Sequence, residues 1–441
     1  MLSRRALLRG AAGVGAAATV AGASGCADDS DALTFFFQAA PDEAKVRMRI
    51  IEAFARVRPD IPVRVQMSGI DPQQQILTYC AGGKCPDVLM QWESYSRFAE
   101  LGVLQDLNVM LDKDPEYAAR LRADSIPQLY ETFRFENGQY ALPEQWAGVF
   151  LYYNRTLFDA AGLPPPPARW EDAWTFDEFL RTAQALTKRD AAGTTTQWGF
   201  VDAWPVPRWS GAIFGMNNGA EWFTPPIDPT RSNVDDDRFV EGFQFYADLS
   251  VRHRVAPLAA DMLSVSASMS ALDLFTQGKV GMVLTGHWQY SGFAAAEDLD
   301  FDVTVLPVGP RGQAAKSDIG TTGIGIAASS AKKESAWEFV KFATGPEGQR
   351  AVAASGLFVP ALRSALESPE FAAAHHGIRN LKVLTGGPAH SHHLPVSPRW
   401  PRVDAAWQRA TDRVLRGAAP ASSFRDGLAG ELDRLLAGEA S

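Results

Sequence analysis

The stretch Leu33–Met67, LTFFFQAAPDEAKVRMRIIEAFARVRPDIPVRVQM, decides the fold class. An apolar run at Leu33–Phe37 reads as a strand, the spacing of apolar residues over Glu43–Arg56 as a helix, and Pro62–Met67 as a second strand. A further helix around Asp71–Tyr79 then leads to Pro86–Met90, an apolar strand whose C-terminal end delivers Gln91, Trp92 and Glu93. Alternation of this kind builds an α/β sheet with helices on its faces.

Working outward, Gly138–Arg155 (GQYALPEQWAGVFLYYNR) carries polar punctuation and then an apolar run, Gly148–Tyr153, and reads as a first crossing between two units. The prolines 164–167 form a stiff turn, and Thr175 with Glu178 three residues on marks the start of a helix reaching Lys188. From Trp198 to Trp222 the chain is rich in Trp, Gly and Pro with little periodicity, so loops lining a surface feature are expected. Asp235–Asp237 lacks the spacing and glycine of a calcium loop and reads as a helix cap. A helix over Ala271–Gln277 and a strand over Gly278–Leu284 follow, ending in Gly286-His287-Trp288; then come strands at Phe301–Leu306 and Ile324–Ala328 and helices at Ala331–Ala343 and Pro346–Ala354. No internal repeat is evident. At 441 residues, with 46% apolar and 21% charged side chains, the chain is folded and large enough for two packed units.

The first 25 residues differ from the rest. Arg4 and Arg5 precede a Gly/Ala-rich stretch broken only by Arg9, and Ala23-Ser24-Gly25 stand directly before Cys26. Paired arginines before a mildly apolar stretch resemble a twin-arginine export signal, and small residues before a cysteine resemble a lipoprotein processing site. Gly and Ala make the segment too weakly apolar for a membrane span of about 20 residues. Ala23 stands where such signals most often carry leucine, so both lipidation of Cys26 and simple cleavage stay open. Removing residues 1–25 takes away three arginines and no acid, leaving 39 basic against 51 acidic side chains and a formal charge of −12. That balance disfavours nucleic acid as a partner. The remaining cysteines, Cys80 and Cys85, flank a glycine-bearing loop; in an oxidising compartment they are either a disulfide stabilising by about 2 kcal/mol or two free thiols.

Four segments taken in order, Cys85–Asn108 (CPDVLMQWESYSRFAELGVLQDLN), Leu151–Pro167 (LYYNRTLFDAAGLPPPP), Phe275–Tyr290 (FTQGKVGMVLTGHWQY) and Leu306–Gln349, resemble the extracellular solute-binding proteins of carbohydrate-type ABC importers, the maltose-binding-protein-like family. The resemblance implies a two-lobed periplasmic-binding-protein-like α/β fold with discontinuous lobes and a ligand cleft between them. On it, residues 1–25 are the signal, 26–32 a tether, 33–145 plus 303–355 the first lobe, and 146–302 plus 356–441 the second. It implies hinge closure on a ligand, delivery to permease subunits, anchoring to the outer face of the membrane through lipid on Cys26, a monomer, no cofactor and no enzymatic activity.

A sugar presents hydroxyls and apolar ring faces, so its site needs Trp or Tyr beside polar side chains. The candidates at strand ends and in loops are Gln38, Trp92, Glu93 and Tyr95 from one lobe, Gln145 and Trp146 near the crossing, and Trp204, Trp209, Trp222 and Trp288 from the other. Thr321, Thr322 and Gly323 occupy the glycine loop that faces the cleft in the family, and Arg399 and Trp400 are added from the C-terminal region. Trp170, Trp174, Trp337 and Trp407 are assigned to core packing. His375, His376, His390, His392 and His393 lie in or near a Pro/Gly/Ser-rich loop, and no metal site is expected of them. Alternatives kept open are a binder of glycerol phosphate esters or other polyols, for which Arg208 and Arg399 stand near the proposed aromatics, a sensor-linked receptor, and a secreted carbohydrate-active enzyme with a carboxylate pair. No G-x-S-x-G, H-E-x-x-H or phosphate-binding glycine loop is present.

Overall fold

The computed structural model describes residues 31–68, 72–92, 95–203, 207–258 and 270–439. Cys26, Glu93 and Trp204 lie outside the described residues. The chain lays down β1 (Leu33–Gln38), β2 (Val63–Ser68), β3 (Val88–Gln91) and β4 (Leu142–Trp146), and crosses at Ala147-Gly148. It then forms β5 (Val149–Asn154), β6 (Thr195–Asp202), β7 (Val280–Gly286) and β8 (Phe301–Thr304), passes through β9 (Ser317–Ile319), and returns as β10 (Thr321–Ile326) and β11 (Val359–Pro360). β12 (Ser391–His393) pairs in parallel with β9. The first sheet has the order β11-β4-β10-β3-β1-β2, and the second β8-β5-β7-β6 with Lys188–Arg189 at its edge.

The opening β1–helix–β2 unit forms as expected, with β1 parallel to both β2 and β3. Its helix, Pro41–Val57, starts two residues before the expected Glu43, because Pro41 supplies helical φ at the first turn and Glu43 reaches back to accept the Ala40 N–H at 2.8 Å. The helix buries Val46, Ile50, Ile51 and Phe54 against the first sheet. Thr175 and Glu178 cap Phe176–Leu186 reciprocally, and Asp236 caps Asp237–Val251. The Sγ atoms of Cys80 and Cys85 are at bonding distance across the end of the helix Pro72–Ala81.

The loops expected over Trp198–Trp222 are instead β6 followed by a helix, Pro207–Asn217. The glycines that read as punctuation are packing contacts: a Cβ on Gly211 would lie 2.5 Å from the Phe243 ring and one on Gly215 2.8 Å from Phe239. Two helices approach closely where those side chains are missing. The lobe boundary also shifts. Phe301–Thr304, expected to open the return to the first lobe at 303, pairs antiparallel with β5 in the second sheet. Arg155 fixes that pairing by bridging Asp300 and Asp302. The chain rejoins the first sheet only at Thr321, and β11, expected in the second lobe, pairs with β4 in the first. His392 and His393, expected in a loop, lie in β12, because the strand finds a parallel partner in β9. Among the described residues no helix is long and apolar enough to cross a membrane.

Candidate ligand-binding cleft

The two sheets are joined by segments that run side by side. The Ala147 N–H donates to the Gly320 carbonyl at 2.7 Å, so the outgoing crossing and the returning one are hydrogen-bonded where they leave the sheets. A cavity of about 510 Å³ opens there, lined from the first lobe by Gln38, Arg47, Trp92, Gln145, Thr321 and Thr322, and from the second by Trp209, Trp288 and Asp318. It lies beyond the C-terminal ends of β1 and β3, where open α/β sheets place ligands.

Seven of the expected residues line this cavity: Gln38 at the end of β1, Trp92 directly after β3, Gln145 in β4, Trp209, Trp288, Thr321 and Thr322. Trp288 follows β7, and its ring folds back over Gly286, where any Cβ would collide with it. Trp209 is held by its indole N–H, which donates to Asp404 at 3.3 Å, and by edge contacts with Trp222 and Trp400. Thr321 donates its hydroxyl to the Gln145 carbonyl at 2.6 Å.

Others expected at the site are elsewhere. Tyr95 is buried against Phe133 with its hydroxyl donating to the Arg134 carbonyl, so its ring serves the first-lobe core. Trp146 is fully enclosed, its indole N–H donating to the Asp318 carbonyl at 3.0 Å. Trp222 sits among Phe223, Trp400 and Trp407, and Trp400 packs on that aromatic cluster, so both support Trp209 from behind. Gly323 faces away from the cavity, where a Cβ would meet the Phe133 ring at 2.7 Å. Arg399 pairs with Glu100 at 2.5 Å. Large aromatics in sequence look alike whether they stack on a ligand or fill a core; only their neighbours distinguish them.

The cavity also contains charges that reading the sequence missed. Arg47, 1% exposed, donates to Glu144, 3% exposed, at 2.8 Å, and Thr322 donates its hydroxyl to the same carboxylate oxygen at 3.0 Å. The guanidinium lies 5.5 Å from the Phe37 ring centre and 5.6 Å from that of Phe358, and its Nε and Nη1 have no hydrogen-bond partner among the described residues. The signal was legible: Arg47, Ile50, Ile51 and Phe54 share one helical face, and a charge on an apolar stripe calls for a partner. Asp318 is 1% exposed; its Oδ1 accepts the Val149 N–H at 2.9 Å and lies 3.3 Å from the Ser317 hydroxyl. Burial pushes its carboxyl up to about 6, against the pull of those two donors.

The histidines are structural neighbours of the site. His392 places Nε2 3.1 Å from Asn217 Oδ1, and Asn217 donates to the Pro307 and Lys316 carbonyls, fastening the return segment. His375 and His287 share a hydrogen bond at 3.0 Å between their Nε2 atoms, just before Trp288. His390 stacks on Trp170 with ring centres 5.2 Å apart.

Residues 40–350 match the family described as bacterial extracellular solute-binding protein. The chain belongs to that family. This solute-binding protein is 23% identical over 386 residues to the maltotriose-binding protein of Pyrococcus abyssi, an alignment covering 85% of this chain and 76% of that one. Among solved structures it is similar to an ABC substrate-binding protein of Listeria monocytogenes in complex with cycloalternan, at 25% identity and a TM-score of 0.78, covering 93% of this chain and 99% of the other. The GacH receptor of Streptomyces glaucescens shares the fold at 20% identity and a TM-score of 0.74, with 93% and 99% covered. The solute-binding protein thus has the two-lobed α/β architecture that its four segments implied.

Proposed function

We propose that this solute-binding protein captures an oligosaccharide in the interlobe cavity and presents it to the permease subunits of an ABC importer. The observation that carries the reading is the cavity wall itself: Trp92, Trp209 and Trp288 supply aromatic faces from both lobes beside Gln38, Gln145, Thr321 and Asp318. Aromatic planes receive the C–H faces of a sugar ring, and the amides, hydroxyl and carboxylate receive its hydroxyls. The named ligands of the similar proteins, maltotriose and cycloalternan, support the same class. A polyol phosphate is less favoured, because Arg208 is committed to Asp404 and Arg399 to Glu100, and the charge of Arg47 is already compensated by Glu144. Trp204 and Glu93 stay candidates on sequence grounds. The twin-arginine signal and lipidated Cys26 complete the reading: an exported monomer tethered on the outer face of the membrane, binding without turnover.

The test is a thermal-shift screen of the full chain against neutral mono- and oligosaccharides, polyol phosphates, amino acids and divalent metals. A ligand at a thousand times its Kd adds about 4 kcal/mol of stability. A shift with oligosaccharides alone is expected; a shift only with phosphate esters or metals overturns the substrate class.

A further inference from the structure

On the carbohydrate reading above, we propose that Asp318 is a ligand-contacting residue, its Oδ2 accepting a hydrogen bond from a hydroxyl of the bound sugar. The two carboxylate oxygens are not equivalent. Oδ1 is committed to the Val149 N–H and lies 3.3 Å from the Ser317 hydroxyl, which also donates to the Val149 carbonyl. Oδ2 has no donor among the described residues, and no lysine, arginine or histidine of those residues lies within salt-bridge distance, although Asp318 lines the cavity and is 1% exposed. Gly320 leaves that oxygen open: a Cβ there would stand 3.1 Å from Oδ2 and cover it. A carboxylate so buried and without a salt-bridge partner among the described residues is costly to keep, and fastening β9 to β5 needs only the one acceptor that an amide would supply equally well. The remaining oxygen faces the space the ligand takes. Its place is mechanically apt, because the Asp318 main chain receives the Trp146 indole and the next residue but one, Gly320, is bonded to the outgoing crossing. A hydroxyl seated on Oδ2 therefore touches the joint between the lobes.

Protons compete with such a contact. The other charged groups near Asp318 are His392, opposite it in register on β12, with His393 beyond; Lys316 on its own strand approach; and Glu43 and the Arg47–Glu144 pair from the first lobe. β5 presents Val149 and the helix Pro207–Asn217 presents Trp209 and Asn217, none of them titratable here. Burial holds His392 down at about 3, so it stays neutral wherever Asp318 changes charge. With Asp318 titrating near 6 and the sugar binding the ionised form, Kd rises about tenfold between roughly pH 7.5 and roughly pH 5.

Titration calorimetry of the full chain with maltotriose, mannotriose and cycloalternan at those two pH values tests this. D318N preserves the Oδ1 acceptor and replaces Oδ2 by a donor. Expected are the tenfold loss on acidification in the wild type, weaker binding in D318N by tenfold or more at the higher pH, and no pH slope in D318N. A wild-type affinity equal at both pH values, or a D318N protein that binds and titrates like the wild type, overturns the role of Asp318 and leaves the carbohydrate reading standing. The wild-type measurement decides even where D318N does not fold. Failure of all three sugars to bind the wild type at either pH overturns both.

Discussion

Replacing Arg47 by methionine isolates the buried pair at the cleft wall. Glu144, 3% exposed, would keep only the Thr322 hydroxyl at 3.0 Å, an uncompensated charge in the interior. Breaking a buried ion pair by removing one partner costs about 3–5 kcal/mol. Glu144→Gln should cost a similar amount, since it leaves uncompensated the charge of a guanidinium two of whose nitrogens already lack partners among the described residues. The double variant removes both charges at once. Its residual loss is the contact of the guanidinium with the Phe37 and Phe358 rings, at 5.5 and 5.6 Å, about 1 kcal/mol each. The double variant is therefore expected within about 2 kcal/mol of wild type, so that two single losses of at least ~3 kcal/mol leave a coupling energy of at least ~4 kcal/mol in the cycle. Urea unfolding followed by tryptophan fluorescence and by circular dichroism provides the measurement, and the two transitions must coincide for the cycle to be read. Single losses below about 1 kcal/mol, or a double loss equal to their sum, would refute the reasoning, because the charges would then be solvated rather than mutually compensated.

Trp288→Ala and Trp92→Ala should each weaken oligosaccharide binding about tenfold or more while leaving the unfolding midpoint near wild type, whereas Trp146→Ala should cost about 3–5 kcal/mol of stability; the reverse pattern in calorimetry and urea unfolding would exchange their assignments. Reduction of the Cys80–Cys85 pair, separated by five positions, should cost about 2 kcal/mol, and alkylation of unreduced protein should add no mass at either cysteine. Stability should also depend on pH through groups of opposite sign, of which His375 and Asp318 are separable by substitution. His375 is pushed down to about 4 by burial, so its contribution is intact above the ordinary histidine value and is lost as pH falls from about 6.5 to 4. Asp318, pushed up to about 6, works the other way, stabilising below about 4 and ceasing to do so as pH rises through 6. H375Q should flatten the acid side of the stability profile and D318N should steepen it; identical profiles for all three proteins would count against both burial arguments.

Much of this was legible from residues alone. The β1–helix–β2 unit, the Thr175–Glu178 cap and the strand ends at Gln38, Trp92 and Trp288 follow from apolar periodicity and capping chemistry, which act over a few residues and are written locally. The order of four segments was enough for the two-lobed fold. What the local pattern does not contain is the identity of each partner. Phe301–Thr304 is apolar enough for either sheet and is placed in the second by Arg155, which bridges two aspartates 145 and 147 positions away. Gly211 and Gly215 look like loop residues until Phe243 and Phe239 occupy the space beside them. Trp146 and Trp222 carry the same sequence signal as Trp209 and Trp288, yet the first pair is enclosed by core and the second meets the cavity. Asp318, an acid just ahead of a glycine loop, is assigned its chemistry by what surrounds it: the Val149 N–H on one oxygen, a glycine beside the other, and no cation within salt-bridge distance of either among the described residues. Desolvation and pairing are properties of three-dimensional neighbourhoods, so the sequence determines the scaffold and the kinds of side chain at its strand ends, and only the tertiary structure decides which of them face the ligand.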